Sequence, residues 1–150
     1  MKEALDLLRM LSEVEENLLK LSGRISDLDR EEAHLKERIS EVDAAFARRK
    51  EEHHKLRQTA QERTIEVDAT DAKIREYQHK LEHDIVPYKE MEFLREQVQI
   101  LRQRLDQLSE EALRLMDAVE EDAKKLAQEE AQYRERRISL EQEIQHVSQK

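Results

Sequence analysis

Apolar residues recur in alternating steps of four and three along the chain from Leu7 to Leu81. This spacing places a narrow apolar stripe on an α-helix, and the stripe can leave water only against another helix. The two interleaved sets of stripe positions are Leu7, Val14, Leu21, Leu28, Leu35, Val42, Arg49, Leu56, Arg63, Thr70 and Tyr77, and Leu11, Leu18, Ile25, Glu32, Ile39, Phe46, His53, Ala60, Val67, Ile74 and Leu81. The pattern predicts a first coiled-coil helix over residues 1–82.

The only proline, Pro87, lies close to the point where this first pattern loses its phase. Proline disrupts a helix interior but suits a first helical turn, so residues 83–87 are predicted to form a hairpin tip. A kinked but continuous helix is the alternative. Gly23, the only glycine, lies inside the first pattern, where it is expected to weaken the helix without ending it.

The apolar pattern resumes after the tip, which predicts a second coiled-coil helix over residues 88–150. Its stripe positions are Met91, Leu94, Val98, Leu101, Leu105, Leu108, Ala112, Leu115 and Val119, followed by Leu126, Tyr133, Leu140 and Val147 in one set and by Asp122, Glu129, Arg136 and Glu143 in the other. Ile144 fits better after a four-residue stutter. The fold class predicted is all-α, a long antiparallel two-helix coiled-coil hairpin forming one domain.

The alignment of the two helices is predicted from the polar residues on the stripes. The preferred register places Tyr77 opposite Met91 and Glu32 opposite Arg136. A shift of one heptad places His53 opposite Asp122 instead. That alternative also brings Glu32 against Glu143, and the first register is preferred because a buried contact between like charges costs free energy.

The preferred register leaves the start of the first helix, from residue 1 to about residue 20, without a partner in the chain. Its apolar residues form the predicted partner-binding surface, which consists of Leu7, Leu8, Leu11, Val14, Leu18 and Leu19. Such a surface is expected to be covered. Two chains could associate there, another protein could dock, or the natural polypeptide could continue past Lys150 and cover it.

Composition narrows the class of protein. Charged residues make up 42% of the chain and aromatic residues 3%, which is typical of long helices rather than a rounded core. The net charge of −9 disfavours nucleic-acid binding by this segment, although Arg48–Lys50 and residues 134–137 are locally basic. The absence of cysteine excludes disulfides and thiolate zinc sites. No signal peptide or membrane span is evident, so a cytoplasmic protein is expected.

Few residues offer chemistry. His79 and His83 stand four apart on one helical face, a spacing that can bind a divalent metal, although a solvated helix end is the simpler interpretation. His53 lies on the apolar stripe, where its protonation near pH 6 could loosen the hairpin. Paired helices offer no dry pocket for catalysis, so we expect no enzyme and no cofactor in this chain.

Residues 88–121 resemble the second helix of bacterial coiled-coil proteins that carry a C-terminal four-cysteine zinc ribbon. Lys89, Glu90, Leu94 and Val98 match the start of that helix, with Met91 in the place of a tyrosine, and residues 108–117 resemble its second conserved run. The resemblance implies a role in flagellar or type III secretion assembly or in control of the flagellar sigma factor. It also implies a zinc ribbon, whose cysteines are absent here, so zinc is expected only beyond residue 150.

These observations favour a non-enzymatic adaptor that binds proteins or associates with itself through the N-terminal surface. The alternative is a nucleic-acid-associated regulator whose binding module lies beyond Lys150. A third hypothesis is a metal-responsive switch at His79 and His83.

Overall fold

The computed structural model describes residues 1–149 and shows two helices joined by a short connection. Helix α1 spans Lys2–His83 and helix α2 spans Tyr88–Ser148. The described residues contain no strand. The predicted all-α antiparallel helical hairpin is therefore confirmed, and α1 continues through Gly23 as expected.

The connection between the helices is built around Pro87. The amide of Asp84 donates to the Lys80 carbonyl at 3.1 Å, which closes the last turn of α1. The Pro87 carbonyl accepts from the Met91 amide at 2.9 Å, which opens α2. Proline can occupy this position because its missing amide hydrogen would have no helical partner there. The alternative of a kinked continuous helix is wrong.

The chain divides into two compact units, of which the first comprises Met1–Phe46 with Glu130–Lys150. Leu35, Leu140 and Val147 form its buried core, and Leu28, Ile39, Val42 and Ile144 pack around them. On α2, the buried or half-buried residues in this region are Tyr133, Arg137, Leu140 and Ile144, whereas Arg136 and Glu143 are exposed. The prediction that Ile144 follows a four-residue stutter is confirmed, and the change of phase lies between Tyr133 and Arg137. The prediction that Arg136 and Glu143 lie on the stripe is wrong.

The second unit, Ala47–Glu129, pairs the end of α1 with the start of α2. Its buried residues are Ala60, Ile74, Leu94, Val98, Leu108 and Ala112, all at predicted stripe positions. The stripe positions of α1 from Leu28 to Leu81 are all buried or half-buried. The heptad pattern therefore predicts correctly which face of each helix is buried.

The alignment of the two helices differs from the preferred prediction by one heptad. His53 contacts Asp122, with 2.7 Å between Nδ1 and Oδ2, whereas the preferred register placed Leu115 there. The expected repulsion between Glu32 and Glu143 does not arise. Glu32 forms an ion pair with Lys36 at 3.2 Å, and Glu143 is exposed. The register preferred from the sequence is therefore wrong, and the rejected alternative is the one adopted.

Candidate functional site

The first part of α1 exposes a continuous apolar surface, which we call the N-terminal stripe and define as the predicted residues Leu7, Leu8, Leu11, Val14, Leu18 and Leu19. The exposed fractions of these six side chains lie between 54% for Val14 and 74% for Leu19. Every other residue from Met1 to Asp27 is exposed as well. All six predicted residues thus lie on one uncovered stretch of helix.

The stripe is uncovered because α2 reaches only as far as Leu28. Val147, the last buried residue of α2, belongs to the core against which Leu28 packs. N-terminal to Leu28, the α1 positions in the same phase, Leu21 and Ile25, are 53% and 60% exposed. The uncovered surface is therefore one heptad longer than the sequence predicted. The shifted register is the physical reason, since it draws α2 back along α1 by that amount.

Four polar side chains in the second unit meet on the seam between the helices. The Arg49 guanidinium donates to both carboxylate oxygens of Asp122, at 2.8 and 3.2 Å, and its Nε lies 2.7 Å from Glu129. The second partner of Asp122 is His53, and because an ionised carboxylate only accepts, the His53 Nδ1 must carry the proton. The side chains of His53, Arg49 and Asp122 are only 13–23% exposed.

This cluster favours the ionised form of Asp122. The hydrogen bonds from Arg49, and then that from His53, hold the pKa of Asp122 below its ordinary value, and burial opposes them only partly. The hydrogen bonds to Asp122, together with the nearby Glu129 carboxylate, raise the pKa of Arg49. Arg49 and His53 of α1 thus pair across the seam with Asp122 and Glu129 of α2. The cluster therefore aligns the helices, and the sequence signal for it was the set of polar residues at stripe positions.

A second polar cluster lies in the first unit. The Tyr133 hydroxyl donates to Asp43, and Arg137 donates to the same carboxylate oxygen at 2.5 Å. The Tyr133 ring stacks on Phe46 with centroids 4.4 Å apart. Tyr133 and then Arg137 hold the pKa of Asp43 below its ordinary value. Sequence analysis missed this cluster because Asp43 lies beside the predicted stripe position Val42, and because Arg137 comes to the seam only through the stutter in α2.

The two histidines proposed as a metal switch lie at the end of α1. The rings of His79 and His83 have centroids 4.6 Å apart and are tilted by 45°. Within the described residues, no three His, Asp or Glu side chains are grouped closely enough to hold a metal ion. The described residues therefore place no third metal-binding side chain beside these two histidines, and the metal switch stays a prediction.

The concave surfaces are shallow grooves along the helix pair. One groove of the second unit is largely apolar and is lined by Arg57, Ala60, Met116 and Val119 among others. In the first unit, Ile25, Leu28 and Val147 line a groove at the place where α2 ends. The groove at the end of α2 includes Ile25, which belongs to the uncovered surface of α1. We take the N-terminal stripe on that uncovered surface as the candidate functional site.

Comparisons with protein-family models, with curated proteins and with solved structures found no match. Neither described helix contains a segment long and apolar enough to cross a membrane.

Proposed function

We propose that this protein is a non-enzymatic, cytoplasmic adaptor whose N-terminal stripe binds an apolar face of another helix. The observation that carries the proposal is the exposure of all six predicted residues on a single helical segment. Large apolar side chains grouped on a soluble surface usually mark an interaction site. Their heptad spacing specifies a helix as the complementary surface.

The distribution of charge supports a protein partner over nucleic acid. Arg134 and Arg137, two of the three arginines in the basic run on α2, form ion pairs with Glu130 at 2.9 Å and with Glu141 at 3.0 Å. Cations neutralised by their own helix are less available to phosphates, and phosphate affinity depends on several free cations acting together. The surface thus offers apolar contact more readily than phosphate contact.

The resemblance of residues 88–121 to the zinc-ribbon coiled-coil proteins gives the proposal its most specific form. An adaptor of that type would act in flagellar or type III secretion assembly or in sigma-factor control. Two Cys-x-x-Cys pairs encoded downstream of Lys150 would support this form of the proposal, and a stop codon there would count against it.

The adaptor proposal is tested with a photoreactive amino acid at Val14, used to identify the protein that contacts the stripe in cells. The captured protein is then purified, and its affinity is measured for the wild-type chain and for L11D. We expect L11D to weaken binding at least tenfold, because it buries a charge in an apolar contact. The control is I138D, at a residue on α2 that is 54% exposed. Equal binding by L11D and wild type would contradict the proposal.

A further inference from the structure

His79 and His83 are the only two histidines of the chain that stand four residues apart, and no two stand three apart. Residues at a spacing of four lie on one face of a helix, one turn from each other. Both residues belong to α1, which ends at His83, and both are exposed. Their imidazole rings are therefore accessible to a ligand from solvent.

The two rings already lie side by side. Their centroids are 4.6 Å apart, and the ring planes are tilted by 45°. Two nitrogens that bind one metal ion at about 2.0–2.1 Å each lie about 3 Å from one another. Rings at the observed distance reach this separation by rotation of the side chains, while the backbone of the helix stays in place. The pair is thus arranged to bind a single ion at two points.

The end of α1 holds the pair in this arrangement. The Asp84 amide donates to the Lys80 carbonyl at 3.1 Å, which closes the last turn of the helix. Because both rings lie on one face only while this turn is helical, an ion that binds both rings binds the helical conformation alone. Such an ion stabilises the turn in proportion to its concentration and affinity.

The charges near the pair in sequence suit a cation. Lys80, which lies between the two histidines, forms an ion pair with Glu76 at 3.9 Å. Glu82 and Asp84 add two exposed carboxylates, and the Glu82 Oε2 atom lies 3.8 Å from the His83 Nε2 atom. These carboxylates are not grouped with the rings as a third ligand. Their negative charge nevertheless raises the local concentration of cations.

The polar cluster on the seam is a poorer metal site although it also contains a histidine. The Arg49 guanidinium binds both carboxylate oxygens of Asp122, at 2.8 and 3.2 Å, and His53 uses its Nδ1 atom on the same carboxylate. A metal ion would have to displace the arginine, which already supplies the positive charge there. The histidine pair at the end of α1 requires no such exchange.

We propose that His79 and His83 together bind one divalent transition-metal ion, and that the bound ion stabilises the last turn of α1. Imidazole nitrogen suits Cu²⁺, Ni²⁺ and Zn²⁺, whereas Mg²⁺ prefers oxygen ligands. The protein supplies two ligands, and water completes the coordination. We expect a dissociation constant on the order of micromolar for Cu²⁺, with weaker binding of Zn²⁺. This site goes beyond the adaptor function and does not depend on it.

The first experiment is isothermal titration calorimetry of the full 150-residue chain with Cu²⁺ or Mg²⁺ at neutral pH. We expect wild type to bind one Cu²⁺ at this site and H79A and H83A to raise the dissociation constant by about tenfold or more, because each leaves a single imidazole. The matched control is H34A, at an exposed histidine of α1 that has no second histidine one turn away. H34A should bind Cu²⁺ like wild type, and Mg²⁺ should not bind at the pair.

A second variant separates the two imidazoles without changing the number of histidines. A72H/H79A moves one of them to an exposed position about 16 Å from His83 along the helix axis. It should bind Cu²⁺ as weakly as H79A. Electron paramagnetic resonance of bound Cu²⁺ should report two nitrogen ligands in wild type and one in either variant. Circular dichroism checks that each variant stays helical.

Hydrogen exchange tests the effect of the ion on the helix. Saturating Zn²⁺ should slow exchange of the Glu82, His83 and Asp84 amides in wild type and leave them unchanged in A72H/H79A. Equal Cu²⁺ affinity in wild type and A72H/H79A would overturn the proposal, as would equal affinity for Cu²⁺ and Mg²⁺. Zn²⁺ that leaves the exchange of these three wild-type amides unchanged would overturn the stabilising role.

Discussion

His53 of α1 donates a hydrogen bond to Asp122 of α2, with 2.7 Å between the Nδ1 and Oδ2 atoms. The same carboxylate binds both terminal nitrogens of Arg49, one turn earlier on α1. A polar group at a seam position costs stability unless it is paired, so these contacts penalise any alignment that separates them. This relationship sets the register of the hairpin, and through the register it sets how much of α1 stays uncovered.

The register can be checked with cysteine pairs, since the chain contains no native cysteine. H53C/D122C should form a disulfide rapidly under mild oxidation, because the two positions face each other across the seam. H53C/L115C, which tests the register one heptad away, should form it at least tenfold more slowly. The opposite ranking would contradict the observed alignment.

Substitution of Asp122 should weaken the hairpin in a pH-dependent way. Because the folded state lowers the pKa of Asp122, its stabilising effect is complete above the ordinary pKa near 3.8 and is lost as the pH falls through the lower folded value. We expect D122N to lower the free energy of unfolding by about 1 kcal/mol at pH 7. The difference from wild type should shrink below about pH 4.

Urea unfolding at several pH values measures this effect. D117N is the matched control because Asp117 is exposed on the same helix. A loss of stability in D122N that stays constant down to pH 2 would show that the ionised carboxylate is not the stabilising form.

Tyr133 should control the ionisation of Asp43. Its hydroxyl is the largest cause of the lowered pKa of Asp43, ahead of Arg137. We therefore expect Y133F to raise that pKa toward its ordinary value, and R137M, which removes a second hydrogen bond and a positive charge, to raise it as well. Carbon-detected NMR titration of the Asp43 carboxyl measures both changes. An unchanged pKa in Y133F would contradict the role assigned to the Tyr133 hydroxyl.

Core packing should matter even though each helix buries only one stripe. Leu140 is 4% exposed in the core of the first unit, whereas Ile138, two residues earlier, is 54% exposed. We expect L140A to lower the free energy of unfolding by about 2 kcal/mol, at the low end for a buried leucine, because the neighbouring side chains can partly close the space. I138A should stay within about 0.5 kcal/mol of wild type. Thermal and urea unfolding followed by circular dichroism measures both variants.

The faces of the helices could be predicted from the sequence because burial follows the heptad phase, from Leu28 to Leu81 on α1 and from Met91 to Tyr133 on α2. The turn was predictable for a related reason. Pro87 is the only residue that cannot be accommodated in a helix interior, and it lies where the phase is lost.

The register was harder to predict because a shift of one heptad keeps apolar residues opposite apolar residues. The choice depended on one expected clash between Glu32 and Glu143. The stutter rotates Glu143 away from the seam and brings Arg137 toward it, so the clash is absent. The same rotation brings Arg137 to Asp43. With the stutter that Ile144 requires placed before Arg137, the sequence offers no objection to pairing His53 with Asp122.

The central claim is that residues 1–27 present an apolar helix that packs against no other part of the described residues 1–149. Amide hydrogen exchange at nanomolar protein concentration tests it most directly, because amides of an unpacked helix exchange through local opening. We predict that residues 5–22 exchange far faster than residues 56–77, which pack against α2. Equal protection of both segments at that concentration would contradict the claim.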